Sequence, residues 1–270
     1  MNAIRYASAM ATAATRIGFS DLANLFTLRN WVFGWFFRLV TQVIFYSLFG
    51  ILLGSLSLAQ YRAIGNSAVL VCIESTVVIL AVTRERGEGT LALQLLAPSR
   101  YAFALTYLTR GICNLIVGIG SSTGAFIIAA LLFRFPVAFP QVLLTPLMMA
   151  VMGLAAYCFG LTLGAAVMAR PGLQWIALNL GYLSVMTFGG VNVPTTYWPR
   201  PIQVIADALP MTHGLAAFRL LLDGGPAGKI ADGLAAEAAV AACWLMVALA
   251  ILSFAVWSGR RKGTLEFAAN

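Results

Sequence analysis

Along this chain the polar positions are sparse and bunched, and the apolar positions between them run on for whole helices. A hydrocarbon layer of about 30 Å needs about 20 apolar residues in helix. Runs of that size fall near residues 31–56, 63–82, 108–133, 142–168, 173–191 and 234–257, which predicts six transmembrane helices. The polar stretches at 83–100 and 192–232 are loop-sized. Residues 101–133 can carry helix for about 50 Å, longer than the bilayer is thick, so part of that helix is expected to protrude and leave Arg110 near the interface. Before the first run, Ser20 or Asp21 can cap a helix whose Leu22, Leu25, Phe26 and Arg29 follow at helical spacing. Trp31, Phe33, Trp35, Phe36 and Phe37 then cluster at the expected membrane boundary. This pattern reads as an amphipathic helix on the inner leaflet that turns into the first span, with a plain cytoplasmic tail as the alternative. The expected organisation is a tail and interface helix over 1–30, a transmembrane domain over 31–257 and a short tail over 258–270.

Composition agrees with an all-α membrane protein. Hydrophobic residues make up 61% of the 270 and charged residues 10%, against about 25% charged in soluble domains. So few charges cannot cover a globular surface, and no soluble catalytic domain fits between the runs. The first strong run starts near Trp31, too late for a cleavable secretory segment. Cys72, Cys113, Cys158 and Cys243 each lie inside an apolar run without a C-x-x-C partner, so they are expected to be small buried hydrophobes, with no disulfide framework or zinc site.

The net charge of +8 does not signal nucleic acid, because the basic residues flank the apolar runs. With the N-terminus inside, eleven Lys and Arg fall on the cytoplasmic side, five fall outside, and Arg38 lies within the first span. The positive-inside rule then puts both termini in the cytoplasm.

Two ionisable residues are counted inside the spans, Arg38 and Glu74. Both lie about 10–14 Å from the cytoplasmic edge by helical rise. A charge at the bilayer centre costs about 2.5–3.5 kcal/mol on insertion scales, so an Arg38–Glu74 contact is the expected solution. Arg110 is a competing partner, and snorkelling of Arg38 with a protonated Glu74 is the alternative. A secondary transporter or channel could use Glu74 as an ion or proton site. An intramembrane serine enzyme would need Ser67 beside a base, and His213, the one histidine, sits in a loop where capping or packing is the expected role. The GGPAGK run at 224–229 lacks the glycine and the Ser or Thr of a phosphate loop, since Asp223 and Ile230 stand there.

Two loops carry more specific patterns. After the second run come Glu85, Arg86 and Glu88, then Gly89-Thr90-Leu91, then Leu95-Leu96-Ala97-Pro98 and Arg100. The leucines suggest a short helix stopped by Pro98, able to dock on a soluble partner or to lie on the membrane surface. Between the fifth and sixth runs, Gly190 to Pro194 precedes Trp198-Pro199-Arg200-Pro201. Leu209-Pro210, Thr212-His213 and Arg219 follow. Prolines and glycines cut this stretch into helices too short to span.

Both loops resemble those of the ATP-binding-cassette type-2 permease family, the membrane subunits of drug, polysaccharide and lipid exporters, including daunorubicin-resistance-like systems. The resemblance in order and spacing runs from about residue 20 to the C-terminus. It departs at Ala92, where the family carries an acid. It implies that Glu85, Arg86, Glu88, Gly89, Thr90 and Leu91 couple to an ATPase. It also implies that a re-entrant outer hairpin between helices five and six, with Gly190, Pro194, Pro210, His213 and Arg219, closes the exit. By the same resemblance, two ATP-binding subunits hold the ATP and Mg, and a second permease completes a dimer. This chain itself carries no cofactor and no enzymatic activity. The implied substrate is amphipathic (a drug, antibiotic, lipid or modified peptide), exported across a bacterial plasma membrane.

Overall fold

The computed structural model describes residues 3–25, 27, 29–30, 32–33, 37–52, 54–80, 100–168 and 171–262. Among these, every regular element is a helix. In chain order they are α1 Ala3–Leu25, α2 Phe37–Leu52, α3 Leu56–Thr76, α4 Arg100–Thr109, α5 Ile112–Leu132, α6 Phe139–Val167, α7 Gln174–Phe188, α8 Arg200–Ala208, α9 Thr212–Leu222 and α10 Ala227–Lys262. The coupling stretch from Glu85 to Leu91 lies outside the described residues.

Four helical stretches are long and apolar enough to cross a membrane: Leu56–Leu80, Ala104–Leu132, Phe139–Val167 and Ala227–Ala255. The pair α8 and α9 qualifies as a fifth when taken together, bent by 89° at the break between them. Of the six expected spans, the described residues carry four at full length, and the first and fifth fall on shorter described helices. With 16 residues in α2 and 15 in α7, each is only about 22–24 Å long. The first run ends early because Gly54 takes a left-handed φ of +71° and Ser55 caps α3, its hydroxyl accepting from the Leu58 amide at 3.2 Å. The second span thus begins at Leu56, and Arg62, counted as an outer-loop cation, sits within α3. The N-terminal helix is also corrected. It starts at Ala3, and Ser20 and Asp21 lie near its end. Alanines at 3, 7, 9, 11, 13 and 14 favour helix well upstream of the expected cap.

Helix α3 is the axis of the bundle, with α2, α5 and α6 around it. Its close neighbours present glycines at the crossings, as membrane helices do when no hydrophobic drive separates them from lipid. A Cβ on Gly50 would lie 2.3 Å from the Ala59 amide nitrogen, and one on Gly153 would lie 2.6 Å from Val71. A hydroxyl ties α5 to α3, where Ser122 donates to the Ser67 carbonyl, while the Ser67 hydroxyl donates within its own helix to the Ala63 carbonyl at 2.7 Å. The core around Val71, Phe126, Met149, Met152, Leu215 and Phe218 joins α3, α5, α6 and α9.

The long helix expected over 101–133 is interrupted by a turn at Arg110–Gly111. Two tyrosines bridge that turn to α6. Tyr107 donates to the Leu161 carbonyl at 2.6 Å, and Tyr157 donates back to the Leu108 carbonyl at 2.8 Å. Tyr107→Phe removes one such bond, and hydrogen bonds within membrane helices average about 0.6 kcal/mol. A Tm lower by about 1–2 °C in thermal unfolding is expected, and an unchanged Tm would mean the bond contributes nothing.

Candidate functional site

The site is the 189–232 region, built around a helix break. Pro210 brings no N–H, Leu209 is extended, and Met211 takes φ 78°, a left-handed conformation unusual for a side-chain-bearing residue. Breaking a helix orphans the carbonyls on one side and the amides on the other, and inside an apolar layer each must find a protein partner. At the end of α8, Thr212 donates its hydroxyl to the Ala206 carbonyl at 2.7 Å. His213 Nε2 reaches the Asp207 carbonyl at 3.0 Å, and Trp244 Nε1 donates to the Ala208 carbonyl at 2.8 Å. At the start of α9 a single carboxylate takes two amides. Glu237 Oε1 accepts from the Met211 N–H and Oε2 from the Gly214 N–H at 2.8 Å. Glu237 is fully buried, and its carboxyl oxygens lie at a helix N-terminus, where the macrodipole favours an anion.

The far end of α9 is held as closely. Gln141, at the start of α6, donates Nε2 to the Leu221 and Leu222 carbonyls at 2.8 and 3.1 Å. Its Oε1 accepts from the Ala138 N–H at 2.8 Å. Arg219 in the last turn of α9 spreads its guanidinium over three carbonyls, at 2.8 Å to Gly190, 3.2 Å to Tyr61 and 3.1 Å to Val191. It also lies 3.5 Å from the centre of the Tyr61 ring. The Tyr61 hydroxyl donates to the same Gly190 carbonyl at 2.9 Å. Gly190 has φ +78°, which glycine adopts without strain and which turns the chain at the end of α7. Asn66 donates to Asn192 Oδ1 at 2.9 Å, fixing the same loop to α3.

Of the five residues expected at a gate, the structure joins Gly190 and Arg219 directly and sets Pro210 and His213 together at the break. Pro194 stands apart, leading a single 3-10 turn over Thr195–Tyr197. The expected pair of intramembrane charges is half described. Glu74 is buried on α3, where a Cβ on Gly118 would meet its Cβ at 3.0 Å, while the Arg38 side chain lies outside the described residues. Counting only Arg38 and Glu74 within the spans overlooked Glu237. The signal was present as a lone acid flanked by Ala235, Ala236, Ala238 and Ala239 in the sixth run. Gln141 and Trp244 gave no comparable signal, because both act on distant backbone carbonyls.

Other expectations have plain outcomes. Ser67 and His213 each spend a hydrogen bond on a backbone carbonyl. Cys72, Cys113 and Cys158 are buried, but Cys243 is exposed on α10, a correction to the expectation that all four are inside. No group of metal-ligating side chains occurs among the described residues.

No curated protein and no solved structure matches the chain. A family model does, over residues 23–222, ending at the last residue of α9 and leaving out α10. That model describes the ABC-2 type transporter and covers well over half of the 270 residues, so the chain belongs to the ABC-2 type transporter family, as a multi-pass membrane permease subunit of a kind that works with an ATP-binding subunit.

Proposed function

We propose that this permease is half of an ATP-driven exporter, moving an amphipathic substrate out of a bacterial cell between two permease copies or paralogues above two ATP-binding subunits. The observation that carries the reading is the broken pair α8–α9, bent by 89°, whose orphaned backbone groups are met by protein on both sides of the break. A short helix pair capped in this way can sit part-way through the apolar layer. With both termini in the cytoplasm, as the basic-residue count favours, the pair lies on the outer side and serves as a re-entrant exit gate. The charged stretch from Glu85 to Leu91 lies on the inner side, where an ATPase docks. Arg38 and Glu74 form the intramembrane polar pair of the first two spans. Gly190, Pro194, Pro210, His213 and Arg219 hold or turn the gate.

The test is transport in inside-out vesicles containing the permease and its ATP-binding subunit. ATP-driven accumulation of a fluorescent amphipathic dye is expected, and it should disappear when the ATPase is inactivated. Accumulation driven by a proton gradient with the permease alone would overturn the reading in favour of a secondary transporter. Charge reversal at Glu85 and Glu88 together is expected to lower co-purification of the ATP-binding subunit about tenfold or more, as for a disrupted complementary charge pattern. Undiminished co-purification and undiminished ATPase activity would remove the docking role of that stretch.

A further inference from the structure

One face of α10 touches both sides of the helix break. Glu237 and Trp244 are seven residues apart, two turns or about 10 Å along the axis. The first caps the start of α9 and the second the end of α8. One turn before Glu237, Gly233 lets α9 come so close that an added Cβ would lie 2.8 Å from the Ala217 Cβ. One turn after, Ala241 is buried against Ala155 and Cys158 of α6. The stripe is therefore small at every step except where it reaches the break.

An acid buried in an apolar span is costly, about 2.5–3.5 kcal/mol on insertion scales, and the four nearest neighbours of Glu237 in its own helix are alanines. Alanine at 237 would suit the helix and the lipid better. What it could not do is accept from two amides at once. Nor is Thr212 free for that work, since its hydroxyl is turned back to Ala206.

We infer that Glu237 is the positioning residue of the bent pair. It ties the start of α9 to the last span, so that α9 travels with α10, and the pair swings aside only when the Met211 and Gly214 amides are released. The inference rests on the proposed reading of the pair as a gate, and it adds a residue outside the family match.

Hydrogen exchange on the full chain in lipid nanodiscs tests the tie, and dye retention in proteoliposomes tests its consequence. Glu237→Ala is expected to speed exchange in the peptide 209–222 about tenfold or more, with 56–76 unchanged, since an unmade buried hydrogen bond to a charged group is worth at least a factor of ten. Glu237→Gln keeps one acceptor and should fall between. Glu237→Asp keeps the charge but is one methylene short, so it too should expose 209–222. Liposomes bearing the Ala variant should release trapped carboxyfluorescein several-fold faster than those bearing the unaltered protein. Unchanged exchange in 209–222 in all three variants overturns the inference. So does Asp behaving like Glu, which would make the role one of charge alone. Equal acceleration in 56–76 also overturns it, by showing general loss of packing. Faster local exchange without faster dye release upholds the tie and counts against the gate. If the Ala variant does not fold, the Gln and Asp variants carry the comparison.

Discussion

Replacing Arg219 with alanine is expected to lower stability by about 3 kcal/mol, seen as a Tm about 6–12 °C below that of the unaltered protein in detergent. Three carbonyls lose a charged donor at 2.8, 3.2 and 3.1 Å, and the Tyr61 ring loses the cation over its face. Bonds to charged groups are worth about 1.5–3 kcal/mol each, and a desolvated cation–π contact about 2. Two effects keep the loss well below their sum. Alanine no longer carries the cost of burying a guanidinium, and the Gly190 carbonyl keeps the Tyr61 hydroxyl. Arg219→Lys keeps the charge but not the fork, because an ammonium cannot span three acceptors held by two different segments. It should recover less than half of the loss. A Tm for the alanine variant within about 2 °C of the unaltered protein would show that the loop at 190–191 holds its place without the guanidinium.

The same residue marks how far the sequence can be read. The long apolar runs identify most helices, because a span declares itself in composition. Boundaries fail where a single capping residue decides them. Gln60 and Arg62 make the start of α3 look like a loop, yet Ser55 caps the helix ahead of them. The shortness of α7 and the 89° break at Pro210 follow from glycine and proline, which are visible, but the direction of the bend is not. Arg219 and His213 could be placed in a special loop. Their partners could not be named, because these are backbone carbonyls, one of them 158 residues away at Tyr61. Glu237 shows the opposite failure. Its signal was strong, an acid in a run of alanines, but its role depends on amides from a helix whose start the sequence does not fix.

The clamp and the helix axis meet at Gly65, and this gives the second large effect. A Cβ there would lie 2.2 Å from the Val191 carbonyl oxygen and 2.9 Å from both the Val191 carbonyl carbon and Arg219 Nη2. Alanine in mid-helix gains about 1 kcal/mol over glycine in propensity. Here the neighbour is backbone and cannot rotate away, so the loop at 190–191 must lift and overpacking outweighs the gain. Gly65→Ala is expected to cost about 2–3 kcal/mol net. Gly120→Ala in α5, where an added Cβ meets nothing within 4 Å, should be neutral or stabilising by up to about 1 kcal/mol. The decisive measurement is the double variant. Lifting the loop and removing the guanidinium break the same two bonds, from Arg219 to the Gly190 and Val191 carbonyls, so Gly65→Ala with Arg219→Ala should cost at least 1 kcal/mol less than the two single losses added together, about the coupling expected for residues in one network. Strict additivity would mean that the glycine serves only the helix crossing, and that the clamp at Arg219 closes independently of how near α3 approaches the loop.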